Sequence, residues 1–80
     1  MTTDPVIRQL AKERDNIAHQ IANREKEIAH LTARLASSLM PNQIAILQAQ
    51  RTHQVTMLDA DRGVLVNLEM SLAAEIAGRS

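Results

Sequence analysis

The sequence has no cysteine, no aromatic residue, and only two glycines and two prolines among its 80 residues. Without cysteine, disulfides and thiolate metal sites are excluded. Without Phe, Trp or Tyr, there are no rings to stack on nucleic-acid bases and no aromatic anchor for an interface. The scarcity of glycine and proline disagrees with the many turns of a β protein. These absences predict an all-α chain with an aliphatic core.

Charge and hydropathy narrow the class further. Nine basic residues balance nine acidic ones, which disfavours a dedicated nucleic-acid-binding or anionic-membrane protein. The first ten residues hold no apolar run of signal-peptide length, and no stretch approaches the roughly 18 apolar residues of a membrane span. We therefore expect a cytoplasmic protein that acts without a membrane.

The first half of the chain has apolar residues spaced alternately three and four apart. They are Ile7, Leu10, Ile17, Ile21, Ile28, Leu31 and Leu35. A period of about 3.5 residues indicates a helix packed lengthwise on another helix, along a row that we call the seam. Asp4 can cap free N–H groups, and Pro5 suits the first helical position. The pattern predicts a helix over residues 5–37.

A break is expected at residues 38–42, because Pro41 disfavours a helical Met40 and favours the start of a new helix. A second helix is predicted over 43–77, with Gly78 as its end. Gly63 lies inside this helix and is expected to mark a bend or a close helix contact. The predicted seam of the second helix is Ile44, Leu47, Val55, Leu58, Leu65, Leu72 and Ile76.

A short connection makes two consecutive helices antiparallel neighbours. The predicted fold for residues 1–80 is therefore a single coiled-coil-like hairpin of two helices. Two helices alone leave much apolar surface in water, so we expect the fold to be completed to a helical bundle by oligomerisation or by a partner's helix.

Each helix carries a second apolar stripe, about 110° from its seam at 100° per residue. Contiguous exposed apolar patches mark interfaces, so these stripes are predicted to bind a protein partner. The alternative interpretation of the alanines is helix propensity alone. The stripes are Ala22, Ala29, Ala33 and Ala36 on the first helix, and Ile46, Met57, Val64 and Leu68 on the second.

Four arginines, Arg14, Arg24, Arg51 and Arg62, interrupt the predicted seams. Either their stems cover the seam while their charged groups reach water, or they pair with a partner's carboxylates and set specificity. Both interpretations stay open from sequence alone.

No constellation of residues predicts a metal, a cofactor or catalysis. The three histidines, His19, His30 and His53, have no i,i+4 pairing and no HExxH motif. A general acid–base pair needs a cleft and a shifted pKa, and a two-helix rod offers no cleft. Most of the carboxylates are interpreted as part of a solvated face, and we expect no enzymatic activity.

The bend region, residues 34–50, contains Pro41-Asn42-Gln43-Ile44 and then Leu47-Gln48. This stretch resembles the turn of the small type III secretion co-chaperones of the YscE/PscE type. Those proteins are helical hairpins that, with a second chaperone, keep the needle subunit soluble. The resemblance implies a cytoplasmic chaperone or adaptor that shields a partner's amphipathic helix, and it assigns no binding residue.

Other functions remain as alternatives. No acidic residue lies between Glu27 and Asp59, while Arg34 and Arg51 do, so the turn end is mildly basic and would suit a dimeric RNA-binding regulator. A small inhibitor encoded by a phage or mobile element would also be short, helical and free of motifs. A small all-α enzyme of the chorismate mutase kind is disfavoured, because the required third helix is missing.

Overall fold

The computed structural model describes residues 4–37 and 40–78. Helix α1 spans Pro5–Ser37 and helix α2 spans Pro41–Ala77, and they pack lengthwise as a hairpin of 60 × 18 × 13 Å. Over the described residues there is no strand, which confirms the all-α hairpin. Helix α2 starts at Pro41 rather than at residue 43. Residues 38 and 39 of the predicted turn lie outside the described part of the chain.

The helix ends follow local chemistry. The Asp4 carboxylate accepts hydrogen bonds from the N–H groups of Val6 at 2.8 Å and Ile7 at 3.3 Å, as the capping prediction requires. Met40 is extended, with φ −95° and ψ 120°, which is the conformation preferred before proline. Gly78 follows α2 with φ −69° and ψ −10°, so the helix ends there without the left-handed conformation that favours glycine.

The core is a single row of aliphatic side chains between the helices. Even Leu31, the deepest of these side chains, keeps 2% of its surface exposed. Each helix has only one neighbour, so only one side of each can be shielded from water. The buried hydrophobic residues of the described chain are Ile21, Leu31, Leu47, Leu58 and Leu72, and all five lie on the predicted seams.

The seam of α2 differs from its prediction at Arg62 and Ile76, and it also includes Leu68, which was predicted for the second stripe. Asp61 is buried and Arg62 is exposed, while Glu75 is half-buried and Ile76 is 52% exposed. The predicted seam positions of Arg62 and Ile76 are therefore wrong. A strict three-four spacing from Leu58 leads to Asp61, Leu65, Leu68, Leu72 and Glu75. The predicted seam favoured hydrophobic residues and therefore left out the two carboxylates, Asp61 and Glu75.

Gly63 faces open space, because a Cβ atom built on it would meet nothing within 4 Å. The expected close helix contact at Gly63 is thus absent. Glycine in an exposed helix interior costs about 0.5–1 kcal/mol relative to alanine. We expect Gly63→Ala to raise the free energy of unfolding by that amount, measured by urea denaturation. A lower stability would contradict the open surroundings of this residue.

Candidate functional site

A polar layer crosses the centre of the seam. It consists of Gln20 and Arg24 on α1 and Gln54 and Asp61 on α2. Arg24 Nε donates a short hydrogen bond to Asp61 Oδ2. Gln20 Nε2 donates to the same oxygen at 3.1 Å, and Arg24 Nη1 donates to Gln54 Oε1 at 3.1 Å. Asp61 therefore accepts two hydrogen bonds from the opposite helix.

The ion pair in this layer is well shielded, since the side chains of Arg24 and Asp61 are 19% and 10% exposed. A charged side chain is stable in a buried position only where it is paired and hydrogen-bonded. Arg24 and Asp61 supply both the opposite charge and a hydrogen bond to each other. From the sequence alone, Asp61 was expected to lie on a solvated face. The signal that would have found it is the three-four spacing, which puts Asp61 on the seam opposite an arginine.

The other three arginines lie nearer the surface. Arg51 Nε donates to Thr32 Oγ1 at 2.9 Å, and Arg62 Nη2 donates to Glu25 Oε1 at 3.2 Å. Arg14 contacts its neighbour Asp15 at 3.3 Å. Three of the four arginines thus bond across the hairpin itself. Arg24 is committed to Asp61 and Gln54, whereas exposed pairs such as Arg62–Glu25 contribute little to stability.

Two concavities lie on one side of the hairpin, which we call the groove side. The larger has a volume of about 290 Å³ and is formed by Glu13, Asn16 and Ile17 of α1 with Val64 and Leu68 of α2. The smaller, about 110 Å³, is nearer the turn and is lined by Arg34, Gln43, Ile46, Leu47 and Gln50. Val64 and Ile46 are 44% and 58% exposed, and they give this side its apolar surface.

The predicted second stripe of α2 follows this groove side. Besides Val64 and Ile46, its other members Met57 and Leu68 are half-buried. Leu68 lies on the strict seam spacing and still lines the larger concavity. Three of the four stripe residues, Ile46, Val64 and Leu68, therefore line the two concavities, and Met57 lines neither of them.

The predicted alanine stripe lies on the other side of the hairpin, which we call the alanine side. Ala22, Ala29, Ala33 and Ala36 are all exposed. On a helical wheel, Ala22, Ala29 and Ala36 lie within about 80° of Glu25 and Thr32. Those two residues are contacted by Arg62 and Arg51 of α2. These contacts lie on one side of the seam, and the two concavities lie on the opposite side. The two predicted stripes therefore do not form a common surface.

Other chemistry is sparse over residues 4–37 and 40–78. In that part of the chain, no three His, Asp or Glu side chains come close enough together to hold a metal ion. His19, His30 and His53 are all exposed. Neither helix, over the same residues, has an apolar stretch of the length and hydropathy needed to cross a bilayer.

Comparisons with known proteins add no relative. No protein-family model, no curated protein and no solved structure matches the chain.

Proposed function

We propose that this chain is a non-enzymatic interaction module, a small cytoplasmic chaperone or adaptor, that holds an amphipathic helix of a partner protein against its groove side. The observation that carries the proposal is the larger concavity, about 290 Å³, which lies between α1 and α2 and has an apolar α2 wall. A third helix laid along this groove would cover side chains that the hairpin leaves in water, and amphipathic helices bind such grooves through their apolar face.

The composition of the groove supports a helix rather than a small molecule. Its floor and α2 wall are Ile17, Val64 and Leu68, while its α1 wall is polar, with Glu13 and Asn16. The groove is shallow and open to solvent, whereas small-molecule sites enclose most of the ligand. An amphipathic helix can place its apolar stripe over Val64 and keep its polar face beside Glu13.

The charges along the groove side favour one orientation of the partner. Glu13 borders the concavity near the open end of the hairpin, and Arg34 borders the concavity near the turn. Rim charges of this kind steer association and select partners more than they add affinity. The preferred partner helix carries a basic residue near the open end and an acidic residue near the turn. A helix-holding role also agrees with the resemblance over residues 34–50.

The test uses the full chain and a fluorescein-labelled synthetic amphipathic helix. This helix has leucines spaced three and four apart along one face, a lysine near one end and a glutamate near the other. Fluorescence anisotropy measures its dissociation constant. We expect binding, and we expect Val64→Glu to raise the dissociation constant at least about tenfold, because it places a charge in the apolar contact.

Val66→Glu is the matched control, because Val66 is also a valine of α2 with a similar exposure, 53% against 44% for Val64, but it faces away from the groove. Its affinity for the probe should stay unchanged. A wild-type chain that does not bind the probe would contradict the proposal. If Ala29→Glu abolishes binding and Val64→Glu does not, the alanine side is the binding surface and the groove side is not.

A further inference from the structure

The two helices differ in how well hydrophobicity defines a packing face. Helix α1 is strongly amphipathic, and its large apolar side chains lie within about 120° on the helical wheel. Helix α2 is only weakly amphipathic, because its large apolar side chains cover about 240° of its circumference. They include the seam leucines, the second stripe, and the exposed Val66 and Met70 at the back. Apolar burial therefore selects one face of α1 but does not select one face of α2.

An alternative packing face of α2 lies directly beside the seam. Ile46, Met57 and Val64 each precede a seam leucine by one position, so a rotation of α2 by about 100° would exchange the two sets. Both sets are large aliphatic side chains, and the exchange would bury a similar apolar area. In the structure Leu47 is 4% exposed, whereas Ile46 is 58% exposed. An interaction other than apolar burial must therefore distinguish the two faces.

The polar layer is sensitive to this rotation. A side-chain group about 5 Å from the helix axis moves about 8 Å when the helix turns by 100°, whereas a hydrogen bond spans about 3 Å. The bonds that join Arg24 and Gln20 to Asp61, and Arg24 to Gln54, would therefore be broken. Arg24, whose side chain is 19% exposed, would remain in the seam without a counter-charge, which is strongly unfavourable.

We propose that the polar layer selects the face of α2 that packs against α1. Arg62–Glu25 and Arg51–Thr32 also cross the hairpin, but they are exposed and contribute little. Single buried polar residues fix register and pairing in coiled coils, at a cost in stability. Here the buried layer fixes the rotation of one helix against the other. The proposal concerns the packing of the chain on itself and does not depend on the proposed function.

The same selection keeps the second stripe at the groove side. Val64 and Leu68 form the α2 wall of the larger concavity. A rotation that brought Val64 into the seam would remove this wall and expose the seam leucines instead. The buried pair of Arg24 and Asp61 therefore determines which apolar side chains of α2 remain accessible at the surface.

Thiol labelling of single-cysteine variants tests the proposal, without background from the chain itself because it lacks cysteine. Positions 46 and 47 are adjacent but have opposite exposure, 58% and 4%. In the otherwise unchanged chain, a maleimide should label Ile46→Cys much faster than Leu47→Cys. In the Arg24→Leu/Asp61→Leu chain we expect α2 to populate both faces. Labelling of Leu47→Cys should then accelerate at least about tenfold, and labelling of Ile46→Cys should slow about twofold.

Slower labelling of Ile46→Cys is the decisive signal, because a loss of stability could only accelerate labelling. The matched control is Glu25→Leu/Arg62→Leu, which removes an exposed ion pair between the same helices and should change neither rate. Unchanged or faster labelling of Ile46→Cys in a folded Arg24→Leu/Asp61→Leu chain would overturn the proposal. If circular dichroism shows that this chain is unfolded, Arg24→Met/Asp61→Leu is labelled instead, with the same two outcomes.

Discussion

Replacing Asp61 with leucine is expected to lower the free energy of unfolding by about 3–5 kcal/mol, although leucine is the more hydrophobic residue. Asp61 is 7% exposed and accepts hydrogen bonds from Arg24 and Gln20. Its removal leaves the Arg24 guanidinium in the seam without a counter-charge, in a position where its side chain is only 19% exposed. Urea denaturation followed by circular dichroism measures the change.

The control is the double variant Arg24→Leu/Asp61→Leu, which removes both charges at once. Replacing a buried ion pair by apolar residues is often neutral or stabilising by about 1–4 kcal/mol. We therefore expect the double variant to be at least as stable as the wild-type chain, with a large coupling free energy in the double-mutant cycle. If Asp61→Leu alone were harmless, the polar layer would have no stabilising role in the hairpin.

Leu31→Ala is expected to lower the free energy of unfolding by about 2–5 kcal/mol. Leu31 is the deepest side chain of the core, at 2% exposure, and a smaller residue there leaves a cavity between the helices. Domains of this size have a total stability of about 4–12 kcal/mol. Leu31→Ala would therefore remove a large share of the total free energy of unfolding. Thermal unfolding would show this loss as a marked drop in Tm.

Ile76→Ala distinguishes the observed seam from the predicted one. The sequence pattern placed Ile76 on the seam, but the structure leaves it 52% exposed. Its replacement should therefore change the stability by only about 0.5 kcal/mol, as at an ordinary surface position. A loss as large as that of Leu31→Ala would mean that Ile76, and not Glu75, faces α1.

The hairpin itself was predictable because it depends on local patterns. The three-four spacing from Ile7 to Leu35 identifies a packed helix whatever its neighbour is, and Pro41 ends one helix and starts the next through its own backbone geometry. The five buried hydrophobic residues lie on the predicted seams for the same reason. None of this requires knowledge of contacts between distant residues.

The polar layer was not predicted, because the burial of a carboxylate depends on what lies opposite. Taken alone, Asp61 belongs on a solvated face. It is buried here only because the fold brings Arg24, 37 positions away in sequence, within hydrogen-bonding distance. The three-four spacing from Leu58 places Asp61 on the seam, and the bond from Arg24 allows the carboxylate to be buried there.

The sequence by itself determined that the chain is two amphipathic helices with a narrow aliphatic seam and more apolar surface than one neighbour can cover, because periodicity and proline chemistry are local properties. Only the tertiary structure decided where that extra surface lies. It put the alanines and the Ile46–Val64 stripe on opposite sides of the hairpin, and it left Val66 and Met70 at its back. The physical reason is that a helical wheel gives angles about one axis, whereas the side on which a residue lies depends on how the second helix is rotated against the first.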